Sequence, residues 1–196
     1  MKVSKLSGLL RANVGKKDAA ALRREERVPC VLYGQGTQVH FSARRIDVEK
    51  LVFTPEVYQI DLDVEGRTAQ AIIQEIQQDN INGKVKHVDF LELNENKPVK
   101  VALPVRLTGA SRGVLAGGKL LQVFRRLTVF ALPSALPDAV TIDITKLRIG
   151  QSVRVGQIEA NGLTFLEPAN AVVVSVKMAR GAAKGSDAGD DDEDEE

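Results

Sequence analysis

Apolar and polar residues alternate over short stretches along most of the chain, which is the pattern of half-buried β-strands. The segment 58–64, YQIDLDV, alternates strictly, and Glu65-Gly66 after it is a turn signal. Residues 67–77 therefore return as the second strand of a hairpin, and 79–83 (DNING) form the next turn. Further strands are predicted at residues 2–10, 30–33, 39–42 and 85–93.

Helical spacing replaces this alternation in two places. Residues 43–53 have helical spacing, which brings Ile46, Leu51 and Val52 near one face of a helix. The run 19–24 predicts a short helical turn after a loop that begins at Arg11.

The pattern changes again beyond the polar segment Asn94–Pro98. Short strand-like runs at 99–107, 127–132, 139–143, 152–155 and 171–177 are separated by glycine and proline, which indicates a second all-β domain. Residues 180–196 are of low complexity and rich in acids, and we expect them to be disordered. The sequence thus predicts a mainly β protein with short helices, domains at 1–95 and 96–179, and a disordered acidic tail at 180–196.

Charge is segregated along the chain although its formal net value is only +1. Residues 187–196 hold 8 of the 26 acids, which leaves 27 bases against 18 acids, a net of +9, in the rest. A basic body suits a polyanionic partner, because each phosphate contact releases counterions. The alternative is a solvated surface with a solubilising tail.

Several classes of protein are not expected from this sequence. One cysteine allows no internal disulfide and fits a reducing, cytoplasmic compartment. No apolar run approaches the length of a signal peptide or of a membrane span, so we expect neither. Two histidines and one cysteine cannot form a closed zinc site, and we expect no metal and no cofactor.

Catalytic motifs are also missing. The segment Gly113–Lys119 differs from a phosphate-binding loop in its spacing, and we expect a glycine turn there. Cys30 lies in an apolar run, where a buried, inert thiol is expected. His87 and Asp89 are two residues apart on one predicted strand and therefore share a face. That arrangement suits recognition of a ligand better than proton relay, and we predict no enzymatic activity.

The candidate binding residues are cations and strand polar groups. Six cations occur within 17 residues: Arg11, Lys16, Lys17, Arg23, Arg24 and Arg27. Such a cluster suits phosphates, although a solvated arm is the alternative. Tyr33 lies at a strand end, where its hydroxyl can reach a ligand, and a core tyrosine with a satisfied hydroxyl is the alternative. Gln74 and Gln77 lie on the strand before the DNING turn. Glutamine can pair with base edges or 2′-hydroxyls, while an exposed strand face would also tolerate it.

A known family shares these features. The segment from Arg11 through Gly15-Lys16 to Arg27-Val28-Pro29 and Tyr33-Gly34 resembles the bacterial ribosomal large-subunit protein twenty-five family, also called the general stress protein Ctc family. Gln74 and Gln77 with Lys86–Phe90 match its second signature. In the second half, the residues that match the long form are Val101–Pro104, Val105, Gly109, Gly113-Val114, Gly117–Leu120, Pro137 and Ile149-Gly150.

The resemblance implies an N-terminal β-barrel that binds 5S rRNA, with a second, mostly β domain beside it in the central protuberance of the large subunit. Neighbouring rRNA and ribosomal proteins are then further partners. The RNA-binding residues it implies are Arg11, Lys16, Arg23, Tyr33, Gln74, His87 and Asp89. One departure concerns Ala20-Ala21, where many members carry an arginine pair. An accessory factor that responds to stress and acts through protein contacts stays open as the alternative function.

Overall fold

The structure, a computed structural model, describes residues 1–34, 36, 38–159 and 162–178. The mainly β architecture expected from the sequence is confirmed, with a closed six-stranded barrel in the first half and two smaller sheets in the second. The acidic tail predicted at 180–196 lies outside the described residues.

The first half contains six strands and two helices. These are β1 (Lys2–Leu10), α1 (Lys16–Arg24), β2 (Arg27–Tyr33), β3 (Val39–Arg44), α2 (Arg45–Val52), β4 (Tyr58–Val64), β5 (Arg67–Gln78) and β6 (Val85–Glu92). Every strand predicted here is present, and the alternating segment 58–64 coincides with β4. Helix α1 is longer than the predicted turn, because it begins at Lys16 within the segment expected to be a loop.

The barrel closes in the strand order β1-β3-β2-β6-β5-β4. Strands β1 and β4 pair in parallel to close it, from Lys2 opposite Tyr58 to Gly8 opposite Val64. Alternate side chains point inward and form one core, whose largest members Phe41 and Phe90 lie with ring centroids 5.6 Å apart. A Cβ at Gly8 would come within 2.5 Å of the Phe41 ring, so glycine is what allows β1 to pass so close to that ring.

Helix α2 does not bury all the residues that its spacing indicated. Val48 and Leu51 are buried and Val52 packs partly against the core, but Ile46 is 58% exposed. The prediction that Ile46 shares a face with Leu51 and Val52 was wrong, because each helical residue advances by about 100°, which places Ile46 roughly opposite the buried Val48.

The second half contains seven strands, one short α-helix and two 3-10 helices (Pro133–Ala135 and Val155–Gln157) among its described residues. The strands and the α-helix are β7 (Val99–Thr108), α3 (Arg112–Leu115), β8 (Lys119–Gln122), β9 (Arg126–Ala131), β10 (Val140–Asp143), β11 (Ser152–Arg154), β12 (Thr164–Phe165) and β13 (Val172–Lys177). They form a four-stranded sheet, β10-β7-β9-β12, and a three-stranded sheet, β11-β13-β8. Strands β8 and β12 and helix α3 were not predicted. The segment Gly113–Lys119, where a glycine turn was expected, begins within helix α3. The turn itself follows at Gly117, whose φ is +87°.

By their contacts the described residues divide into two compact units. One consists of residues 1–104, 127–140 and 162–166, and the other of 105–126, 141–159 and 167–178. The domain boundaries predicted at 95 and 179 stay predictions. None of the helices in the described part of the chain has the length and hydropathy of a membrane span.

Candidate nucleic-acid interface

The outward face of strands β5 and β6 carries a row of polar side chains. Val88 and Phe90 of β6 are fully buried in the barrel, so His87 and Asp89, which alternate with them, point outward. The antiparallel register places Gln77 of β5 opposite His87, and Glu75 opposite Asp89. The expectation that His87 and Asp89 share a face is confirmed, and β5 adds two further polar groups to that face.

A β-bulge in β5 takes Gln74 out of the regular pairing with β6. Ile73 pairs with Phe90 and Glu75 with Asp89, so Gln74 is an extra residue without a partner on β6. Ile73 and Ile76, three residues apart, both pack against the core. A regular strand would send two residues at that spacing to opposite faces, so the bulge is what reconciles both isoleucines with the barrel. Gln74 is left exposed beside the polar row.

His87 and Asp89 form a close pair on this face. Their Nδ1 and Oδ1 atoms lie 2.7 Å apart, and both side chains are largely covered. No hydrogen bond of acceptable geometry reaches Nδ1, so the contact is a close electrostatic one rather than an aligned hydrogen bond. The carboxylate nevertheless restrains the imidazole, whose other polar atom, Nε2, is the one suited to a ligand.

Tyr33 stands at the end of β2 beside the same face, opposite Leu91 of β6. Burial raises the pKa of the Tyr33 hydroxyl above its ordinary value, and the negative charges of Asp89 and Glu75 raise it further. The hydroxyl therefore keeps its proton and can donate. Glu75 was missed by the sequence analysis, although its place between Gln74 and Gln77 was a signal that could have found it.

Helix α1 brings cations to the edge of this face. Arg23 donates from Nε to the carbonyl oxygen of Lys86 across 3.0 Å, directly before His87 in the chain. The exposed cations of the helix are Lys16, Lys17, Arg23 and Arg24. The structure thus places Arg23 at the start of β6, beside His87, whereas Tyr33 lies further along the same face, opposite Leu91. Lys16 lies at the other end of the helix.

Two cations of the same segment are engaged within the fold. Arg11 donates from Nε and Nη2 to Asp18 Oδ2, at 3.1 and 2.6 Å, and its side chain is only 6% exposed. Arg27 donates to the Ser42 carbonyl oxygen at 2.7 Å and to its hydroxyl at 3.1 Å. Arg11 therefore ties the chain after β1 to the first turn of α1, where a negative Asp18 also suits the helix dipole.

A cysteine–histidine catalytic pair is excluded by the geometry. Cys30 pairs in register with the inward-facing Val88, is fully buried, and lies inside the barrel, whereas His87 lies outside it. Burial raises the pKa of the Cys30 thiol far above its ordinary value, which keeps it protonated. Among the described residues, no group of three or more His, Cys, Asp or Glu side chains is placed to hold a metal ion.

Comparison with known proteins covers nearly the whole chain. Residues 6–90 match the model of the Ribosomal L25p family, and residues 98–180 match that of the C-terminal domain of ribosomal protein TL5. The large ribosomal subunit protein bL25 of Porphyromonas gingivalis is 42% identical over 188 residues, which cover 95% of this chain and 97% of that protein. The bL25 proteins of Phocaeicola vulgatus and Cytophaga hutchinsonii are 40% and 39% identical, over 95% and 92% of this chain and 97% and 94% of their own lengths.

Proposed function

This chain belongs to the ribosomal L25p family, whose members are structural proteins of the large ribosomal subunit and not enzymes, and we propose that it binds 5S rRNA in the central protuberance. The other partners under this proposal are the neighbouring large-subunit rRNA and ribosomal proteins, on the ribosome in the cytoplasm. The C-terminal half, which matches the TL5 C-terminal domain, makes it a long-form member of the family.

The observation that carries the proposal is the pairing of Gln77 with His87 on the barrel surface, with Asp89 beside them and the cations of α1 at the edge. Helical RNA hides its major groove but offers a wide, shallow minor groove lined by 2′-hydroxyls and base edges. A sheet face that carries amide, imidazole and carboxylate groups fits that groove. Cations at its edge fit the phosphates that border the groove.

The roles of the individual residues follow from their positions. Gln74 and His87 contact base edges or 2′-hydroxyls, and Asp89 restrains His87 or accepts from a guanine amino group. Tyr33 donates from its hydroxyl, while Lys16 and Arg23 bind phosphates. Arg11, which is covered and paired with Asp18, acts through the position of α1 rather than by direct contact.

The test is co-sedimentation of the full chain with large subunits through a high-salt wash. We expect the protein to remain bound, because an integral ribosomal protein combines base contacts with phosphate contacts. Release into the wash would contradict the proposal and favour the accessory factor. A chain with both Gln74→Ala and His87→Ala is the matched variant, and it should be released at lower salt than the parent.

A further inference from the structure

Ile81 is the most exposed large apolar side chain in the described part of the chain, with 92% of its surface open to solvent. It lies at the tip of the turn that joins β5 to β6, the two strands that carry the polar row. A fully exposed isoleucine gains no hydrophobic stabilisation in the isolated protein, and it would gain it by burial against a partner.

The turn that presents Ile81 is held by Asp79. The Asp79 carboxylate accepts the Ile81 N–H at 3.0 Å, and its carbonyl oxygen accepts the Gly83 N–H at 2.8 Å. The Asp79 N–H donates to the Lys84 carbonyl oxygen at 2.8 Å, and Lys86 Nζ lies 3.0 Å from the carboxylate. Ile81 is therefore fixed in place before any partner arrives, which lowers the entropy lost on binding.

The electrostatics of the turn favour a polyanion. The Ile81 N–H, followed by Lys86, lowers the pKa of the Asp79 carboxyl below its ordinary value, so the carboxylate stays charged and keeps these donors. The exposed residues around Ile81 are two amides, a glycine and a lysine, namely Asn80, Asn82, Gly83 and Lys84. The Asp79 carboxylate is thus occupied by the Ile81 N–H and Lys86, while Lys84 is exposed.

The surroundings of Ile81 also distinguish RNA from protein as its partner. The centre of a protein interface is an apolar, often aromatic patch, and the residues on either side of Ile81 are polar. Proteins that enter the minor groove of DNA use single apolar side chains of this kind, flanked by polar and basic groups, and the minor groove of helical RNA is wide and accessible. From Gln77 to Ile81 the chain spans at most about 13 Å, within reach of the same groove.

We propose that Ile81 inserts into the minor groove of the bound RNA helix, a few base pairs from the contacts of Gln77 and His87. There it packs against ribose faces and the edge of a base-pair step, while Asn80 and Asn82 meet 2′-hydroxyls beside it. This inference rests on the proposed function, and it adds a contact that extends the interface beyond the end of the strands.

The experiment measures the affinity of the full chain for 5S rRNA with Ile81→Ser, with Ile81→Leu as the variant that keeps the apolar contact. Leu115→Ser, at a side chain 77% exposed in the second half, is the control for loss of an exposed apolar group. We expect Ile81→Ser to weaken binding at least fivefold. The slope of log affinity against log salt should not change, because an apolar contact releases no counterions. Ile81→Leu and Leu115→Ser should bind as the parent does.

The outcomes separate this inference from the function on which it rests. If Ile81→Ser binds normally while the Gln74→Ala, His87→Ala variant is weakened, the wedge is wrong and the RNA-binding function stands. If Ile81→Ser binds 5S rRNA normally but is lost from large subunits in the wash, the partner of Ile81 is a protein and the wedge is again wrong. If neither variant changes binding to 5S rRNA, the wedge and the assignment of Gln74 and His87 both fail. If the parent chain itself does not bind 5S rRNA, the proposed function fails.

Discussion

Arg23 donates from Nε to the carbonyl oxygen of Lys86 and so joins helix α1 to the strand that carries His87. A guanidinium held through Nε still has its Nη atoms to offer, which is the geometry that suits a phosphate. The cationic helix and the polar sheet face are thus parts of one surface.

Replacement of Arg23 by lysine tests whether this position matters beyond its charge. Lysine keeps the cation but has no Nε–H for the Lys86 carbonyl oxygen, so Arg23→Lys should weaken binding to 5S rRNA about three- to tenfold, the equivalent of one hydrogen bond. Arg24→Lys, the adjacent exposed arginine, should change the affinity less than twofold. If Arg23→Lys binds as tightly as the parent in titrations at one salt concentration, only charge counts at Arg23.

The pair Gln74 and His87 should control discrimination rather than general affinity. The double change to alanine is expected to reduce the preference for 5S rRNA over an unrelated helical RNA by on the order of tenfold, with an unchanged salt slope. Gln70→Ala, at an exposed glutamine on the same strand, is the control and should have no effect. An unaltered preference in the double variant would sink the assignment of these two residues.

Replacement of Asp18 separates two roles of the segment around Arg11, its position and its charge. The two roles predict opposite changes in the affinity for RNA. Asp18→Asn makes the arm more basic, so a purely electrostatic arm would bind RNA more tightly. Loss of the Arg11–Asp18 pair should instead loosen the start of α1, and we expect binding severalfold weaker than in the parent. Filter-binding titrations at two salt concentrations decide between these results, and tighter binding would contradict the positioning role of Arg11.

The buried thiol of Cys30 should make stability fall at alkaline pH. Its pKa is raised by burial, so the folded chain keeps a proton that the unfolded chain loses above about pH 8.5. The stabilisation is complete below that pH and is lost, by up to about 1.4 kcal/mol per pH unit, as pH rises toward the folded pKa. Urea unfolding between pH 8 and 10 should show a shallower decline for Cys30→Ala. Parallel declines would show that the thiol does not contribute.

The sequence predicted the fold best where its pattern was regular. Strict alternation located β4, and the spacing of His87 and Asp89 placed both on one face. The bulge at Gln74 was missed because it depends on which residue of β6 lies opposite each residue of β5. The requirement for glycine at position 8 was also missed. It arises because the fold places Gly8 opposite Ala43 and against the Phe41 ring, and no local sequence pattern predicts that contact.

The candidate site shows the same division between local and tertiary information. The cations between Arg11 and Arg27 could be identified from the sequence, but the hydrogen bonds and ion pairs that two of them form within the fold could not. Arg11 is covered by Asp18, and Arg27 by the backbone and hydroxyl of Ser42, a residue on another strand. Ile46 was misplaced because an apolar residue at helical spacing does not say which side of the helix faces the barrel.

The most direct test of the central claim is a competition titration of the full chain against labelled 5S rRNA, with an excess of an unrelated helical RNA of equal length. We predict binding that survives the competitor, because contacts in the minor groove add to those with phosphates. Binding abolished by the competitor would mean that the basic residues act only by charge, and it would contradict 5S rRNA as the specific partner.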